Sequence, residues 1–537
     1  VPTAATAATA TAAPTTAAAT PKSGGTLVVG IPGDMVVADS ALVQDNASFY
    51  IQDNVVEGLV ALKPGTVSEV VPSLAKSWDI SSDGKTYTFH LQTGVKFSDG
   101  TDFNADAVKF NYDRWQNLPK PLQDTYDYYY GAIFGGWGSA SNVSSVTVTD
   151  PATIVIALKQ PLSSFLVSQA LVPFAIQSPT ALKAGDADNP DPSKSAYAQG
   201  RGKSLVGTGP YTLKEWVPND HVTLVKNPAY WNTKDAGYVD QIVLRPYADL
   251  TAELNALQSG DLDIAATIAA TDIPSVKSDS KLQLLKRGAS CNEGDLGINQ
   301  TFPAMQDKNL RVAIATALNR QSYVDAFYGG QGVVATGWMP AGIQYFKAGS
   351  IPQYDAATAK QLVSALPASE QTLDLTYPSD FSRPYNPDPK ALFEAVARDL
   401  EAAGFKVNTH TEGWKTGYLT DMTSSKLSLF FHGWTCDVGT ADNFLYSGLF
   451  GYSGTTPNKI YSYKNDALNQ TMLEALSATS DQQAAASWAK AQDLIAADLP
   501  SIPIVNSVAP GAAQAYVQGY VGAGNLTEPL SLVWLNK

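Results

Sequence analysis

The 537 residues suffice for roughly three domain-sized cores, so small disulfide modules and lone recognition motifs are excluded. Only 16% of residues are charged, against roughly 25% in an average soluble protein, and 50 acids against 36 Lys and Arg leave a formal charge of -14. No Lys/Arg cluster could follow a phosphate backbone, so nucleic acid is not an expected partner, and no run of 18 or more apolar residues could span a bilayer.

Residues 1–20 hold ten Ala and seven Thr with Pro2 and Pro14, a composition that buries almost nothing, so residues 1–23 are expected to form a disordered tether. The tract has no initiator Met and no basic, apolar signal peptide. It is what a mature exported chain would carry, and a lipid-modified Cys upstream would anchor it to a cell surface. The folded body is expected to start at Gly24-Gly25, where Thr26-Leu27-Val28-Val29-Gly30 reads as a strand.

From 77 to 98, strand patterns at Trp78-Asp79-Ile80, Tyr87-Thr88-Phe89-His90-Leu91 and Val95-Lys96-Phe97 alternate with Asp-Gly turns and predict an antiparallel meander. Asn104 then caps a helix start at Ala105. Between 239 and 264 a βαβ unit is predicted: strand Ile242-Val243-Leu244, helix 250–259 with Leu254 and Leu257 inward, a stop at Gly260, and strand Leu262-Asp263-Ile264. A second unit begins at strand 373–377; Asp388 is the N-cap and Pro389 the first helical residue. Leu392, Val396 and Leu400 make the stripe, Gly404 is the stop, and Phe405-Lys406-Val407 resumes as strand. Trp488, Ala491 and Ile495 form a last stripe before Pro500. The coarse picture is two α/β regions with a β-rich insertion.

Motifs of catalysis are missing. The chain has no G-x-S-x-G elbow, phosphate loop, H-E-x-x-H or dinucleotide fingerprint. His90, His221, His410 and His432 sit singly, and neither cysteine has zinc-site spacing. No cofactor or metal is therefore expected, nor an enzyme. Cys291 and Cys436, the only cysteines, are expected to pair in an oxidising compartment, where closing so long a loop would stabilise by roughly 4 to 5 kcal/mol; two buried free thiols are the alternative. A free Cys436 with His432 as base would be the one conceivable nucleophile.

Binding remains. Asp437, in Gly433-Trp434-Thr435-Cys436-Asp437, follows the apolar run 427–432 and so should lie at the carboxyl end of a strand, where α/β proteins place ligands. Arg383, in Ser382-Arg383-Pro384-Tyr385-Asn386-Pro387, follows another strand. An acid and a base at strand ends of one lobe could hold the two ends of a zwitterion; a surface carboxylate and a structural Arg are the alternative.

These residues carry a resemblance. The chain resembles the large solute-binding proteins of ABC importers, the family 5 class that includes dipeptide- and oligopeptide-binding proteins, along nearly its whole body from about residue 24. Landmarks are Glu57-Gly58-Leu59-Val60, the stretch from Pro72-Ser73-Leu74-Ala75 through Phe97-Ser98-Asp99-Gly100, Gly207-Thr208-Gly209-Pro210-Tyr211, Asn227-Pro228-Ala229-Tyr230-Trp231 and Arg311-Val312-Ala313 through Asn319-Arg320. Locally it is most similar to dipeptide-binding proteins, whose Arg-Pro-Tyr-Asn-Pro and Gly-Trp-Thr-Gly-Asp segments look like 383–387 and 433–437, with Asp442-Asn443-Phe444 continuing the second. Cys436 departs from that pattern by standing where those proteins have Gly, and Val438-Gly439-Thr440-Ala441 loses the Asn and Asp-Pro turn that follow there.

The resemblance implies an α/β, two-lobed periplasmic-binding-protein fold (type II, cluster C) with an extra β-rich subdomain inserted in the first lobe. Its divisions would be 24–57, 178–291 and 506–537 for lobe I, 58–177 for the insertion and 292–505 for lobe II. It implies an extracytoplasmic receptor, periplasmic or a surface lipoprotein, monomeric, delivering to an ABC permease, and touching membrane only through an N-terminal lipid anchor. Di- or tripeptides or short oligopeptides would be captured between the lobes, with Arg383 on the carboxylate and Asp437 on the α-ammonium. Trp434, Trp414, Tyr385, Gly433, Thr435 and Asn46 are the further ligand-binding candidates, with aromatics of the cluster 126–137 lining side-chain pockets. A disulfide near this position in oligopeptide binders supports pairing of Cys291 with Cys436. An oligosaccharide or opine receptor of the same class is the alternative reading.

Overall fold

The computed structural model describes residues 20–126, 129–288, 290–454, 456–524 and 528–537, so most of the expected tether and Tyr128 of the aromatic cluster lie outside the described residues. Two mixed sheets organise the rest. The first runs, strand by strand, Leu282–Leu284, Ala512–Gln514, Ile264–Ala265, Thr26–Ile31, Gln241–Pro246, His221–Lys226 and Tyr211–Val217. The second runs Gly332–Val334, Ser501–Ser507, Asn292–Ile298, Leu429–Thr435, Thr372–Pro378 and Lys406–Glu412.

Both βαβ units form, with local causes that the residues supply. In the first sheet, Thr26–Ile31 is parallel to Gln241–Pro246 on one side and Ile264–Ala265 on the other. The helix Leu250–Ser259 crosses between the outer two, its start capped by Asp249 accepting from the Ala252 N–H and its end fixed by Gly260 at φ +89°. In the second, Thr372–Pro378 and Lys406–Glu412 pair directly in parallel across the helix Pro389–Ala403, which buries Leu392, Val396 and Leu400. The strand expected from Leu262 starts at Ile264, after Asp263 has turned its carboxylate back to the Val28 N–H, and the one expected from Phe405 starts at Lys406.

The meander needs a correction. Ala75–Ile80 and Thr86–Leu91 pair as a hairpin, but Val95-Lys96-Phe97 contributes only the isolated bridge of Lys96 with Asp102. The third strand is Thr153–Leu158, far along the chain, followed by Val143–Asp150 at the sheet edge. This four-stranded sheet closes its own core, in which Phe89, Tyr112, Trp115, Tyr130, Phe134 and Phe165 are buried. Tyr129, Tyr130 and Phe134 of the aromatic cluster are thus core residues of the insertion.

Chain direction fixes where the two large sheets meet. Thr372–Pro378, Lys406–Glu412 and Leu429–Thr435 are mutually parallel, so the loops at their carboxyl ends emerge along one edge. Asn292–Ile298 is antiparallel to Leu429–Thr435 and starts at that edge, entered from the first sheet after Leu282–Leu284. Ser501–Ser507 ends there and returns to Ala512–Gln514. The two crossings are bound together: Asn292 Nδ2 donates to the Ser507 carbonyl at 2.8 Å, and Asn292 Oδ1 accepts from the Ser507 N–H at 3.1 Å.

Candidate functional site

The edge of the second sheet gathers most of the residues singled out by sequence. Arg383 follows Thr372–Pro378, Trp414 follows Lys406–Glu412, and Asp437 follows Leu429–Thr435. Three loops on three parallel strands therefore share one rim, the usual place for ligands in α/β sheets. Asn46 belongs to the other lobe, exposed as the first residue of the helix Asn46–Gln52 that Asp45 caps.

Arg383 and Asn386 close a tight loop, each backbone N–H donating to the other's carbonyl, at 3.0 and 2.8 Å. The Arg383 side chain is exposed, and its guanidinium lies over the Phe381 ring, 3.9 Å from the centroid. Phe381 in turn stacks on Trp414 at 3.8 Å with the rings 3° from parallel. Trp414 lies 5.7 Å from Tyr418, whose hydroxyl donates to the Phe431 carbonyl in the adjacent strand. Asp380 accepts from the Trp414 N–H at 2.6 Å and pins the column at its middle. Trp414 and Tyr418 bound a single π-helical turn, a form common at functional sites.

Among the described residues no carboxylate comes within ion-pairing distance of Arg383; its one side-chain hydrogen bond goes to the Ser382 carbonyl at 3.3 Å. In a chain of net charge -14 an unneutralised guanidinium on a ligand rim is chemically informative. Five N–H donors in a planar fork match a carboxylate.

Tyr385 joins the two loops. Its ring rests on Gly433, where a Cβ would come within 2.4 Å of it, so any larger residue at 433 would displace the tyrosine. Burial and the carboxylates Glu293 and Asp295 push its phenol up, against the opposing pull of Arg383. Gly433 thus acts through packing. Trp434, half-buried, donates from Nε1 to Asn443 Oδ1 at 3.0 Å, and the same oxygen accepts from the Asp437 N–H at 3.1 Å. In the sequence Asn443 is only part of the run 442–444; its role in fixing the Asp437 loop follows from this fork. Thr435 is exposed and pairs with Asn292 across the ladder.

Cys291 and Cys436 are disulfide-bonded, with Cα atoms 5.4 Å apart. Cys436 is thereby excluded as a nucleophile, and His432 is engaged elsewhere, 2.7 Å from the Tyr461 hydroxyl, which also donates to Asp295 at 2.8 Å. Beside them Glu293, paired across the ladder with Trp434, is fully buried with neither oxygen hydrogen-bonded; burial and Asp295 hold its carboxyl well above the usual range. No pattern in the sequence marked this acid, because period-two alternation says only that residues 293 and 295 share a face.

The loop after Asp437 docks on the insertion. Val438 is buried among the insertion's core residues, and Val67 of the insertion among those of the second lobe. Gly439 abuts the Val67 carbonyl, and burial raises the carboxyl of half-buried Asp442 against the opposing pull of Thr440 and of Ser164 of the insertion. No group of three or more potential metal ligands occurs among the described residues, and no helix among them is long and apolar enough to cross a membrane.

This architecture, two α/β lobes joined by paired crossings with a β-rich subdomain in the first, is that of the extracytoplasmic binding proteins that capture solutes without transforming them. A profile of the bacterial extracellular solute-binding proteins, family 5, matches residues 69–456, and the chain belongs to that family. It is 28% identical over 491 residues to the glutathione-binding protein of Salmonella typhimurium, covering 89% of this chain and 88% of the relative. It is 28% identical over 480 residues to the dipeptide-binding protein of Escherichia coli, covering 86% and 85%. Heme-binding protein A of Haemophilus influenzae is 28% identical over 506 residues, covering 90% and 87%. A periplasmic binding protein of Helicobacter pylori solved with the peptide STSA superposes with a TM-score of 0.72 at 25% identity, over 96% of this chain and 99% of that one.

Proposed function

We propose that this chain is the substrate-capturing component of an ABC importer for di- or tripeptides or short oligopeptides. Arg383 meets the peptide carboxylate and Asp437 the α-ammonium. The observation that carries this reading is the stacked guanidinium of Arg383, without an ion pair among the described residues, on the rim from which Asp437 also emerges. Relatives named for dipeptides and for glutathione, a peptide-like zwitterion, support the same class. An oligosaccharide receptor would need open ring faces, whereas Trp414 is covered by Phe381 and the Trp434 indole N–H is already committed. A permease partner, a monomeric state and a lipid-anchored N-terminus belong to the same proposal.

The test is calorimetry with a dipeptide. Arg383→Ala is expected to weaken binding by about 2 to 4 kcal/mol, roughly 30- to 1000-fold, because the ligand carboxylate loses a charged, bidentate partner. Unchanged affinity in that variant would overturn the assignment.

A further inference from the structure

We infer that Phe381 is a positioning residue for carboxylate recognition, presenting the Arg383 guanidinium edge-on to the ligand. The inference rests on the role given to Arg383 above and extends it to the ring on which the guanidinium lies. A surface arginine normally has many rotamers, and ordering it costs side-chain entropy that binding must offset. Two devices restrict it: an ion pair, which would consume the charge, or a stack on a ring face, which leaves the charge unpaired and, beside the one bond to the Ser382 carbonyl, the remaining N–H groups open to a ligand. Arg383 uses the second, at 3.9 Å from the Phe381 centroid. The ring cannot yield, because its other face lies flat on Trp414 at 3.8 Å, and Trp414 is held by Asp380 and backed by Tyr418. With one face of the guanidinium covered, its donors are offered along the edge, the approach a planar carboxylate needs for two parallel hydrogen bonds. Carboxylate selectivity is thereby built in before the ligand arrives.

The experiment compares a dipeptide, Ala-Phe, with its C-terminal amide by calorimetry on wild type, Phe381→Leu, Phe381→Tyr, Arg383→Ala and the Phe381→Leu/Arg383→Ala double variant. Phe381→Leu keeps bulk but loses the ring face; it should weaken the free acid by about 3- to 30-fold, the range of a cation–π contact, and the amide by less than about 2-fold. Phe381→Tyr should stay within about 2-fold of wild type, and the double variant should bind no worse than Arg383→Ala alone. Equal losses for acid and amide, additivity in the double variant, or an unaffected Phe381→Leu beside a weakened Arg383→Ala overturns the inference alone. An unaffected Arg383→Ala, or a wild type that binds neither peptide, overturns the reading of Arg383 and this inference with it.

Discussion

Two arginine environments in this molecule make opposite use of the same side chain. In the first lobe and at its junction with the insertion, Arg114 is buried, with its guanidinium forked onto Asp39 at 2.5 and 3.2 Å and its Nε on Asp188 at 2.6 Å. Arg287, in the crossing toward the second lobe, is likewise buried against Glu528 and donates to the carbonyls of Ala509 and Ala266. Arg383, on the rim of the second lobe, is exposed, stacked on a ring and without an ionic partner. The difference separates charges spent inside the fold from a charge held ready outside it. Removing the former should destabilise the protein, and removing the latter should, on the proposed function, cost binding alone.

The comparison breaks first at Arg114. Arg114→Ala strands Asp39 in the interior and should cost about 3 to 5 kcal/mol in denaturant unfolding, as losing one partner of a buried pair does; a loss under about 1 kcal/mol would mean the pair is not structural. Next in size is the disulfide. Substituting both Cys291 and Cys436 by Ser should cost roughly 2 to 4 kcal/mol, read as a lower unfolding midpoint, with a smaller change in m.

Glu253 sharpens the contrast by pH. It is buried on the helix Leu250–Ser259 against Gly30, and burial raises its carboxyl from 4.5 to about 7. Because the folded value is the higher one, the native state holds the proton more tightly. Stability from this group is complete below pH about 4.5 and declines as pH rises toward 7, by up to about 3 kcal/mol. Glu253→Gln should flatten that slope in unfolding measured from pH 4.5 to 8. Smallest is the effect of Arg383→Ala on stability, within about 0.5 kcal/mol by thermal unfolding, since only surface contacts are lost. A large destabilisation there would erase the distinction between the two environments.

Much of the scaffold was legible wherever a local rule decides the outcome. Asp249 with Gly260, and Asp388 and Pro389 with Gly404, delimit their helices because caps and left-handed stops act within one turn. Asp437 falls just past its strand for a similar reason: the apolar run ends there. The failures are non-local. Val95-Lys96-Phe97 has the composition of a strand, yet Thr86–Leu91 takes its second neighbour from Thr153–Leu158, a choice made by packing in the insertion's core. Phe381 is silent in the sequence for the same kind of reason. Its contact with Trp414 exists because Thr372–Pro378 and Lys406–Glu412 are neighbours in the sheet, and no spacing in the chain announces which loops will touch. Arg383 is legible in its motif; the column beside it is assembled only by the pairing of the two strands.

The disulfide has a mechanical consequence. Cys291 immediately precedes the strand that enters the second lobe, and Cys436 immediately precedes Asp437. Any swing of one lobe against the other is taken up in the connecting segments next to that bond. Points close to a pivot travel little, whereas points far along the lever sweep wide arcs. In such a swing Asp437 would stay nearly stationary relative to the axle, a fixed jaw of the vice, with the gap set by whatever moves toward it.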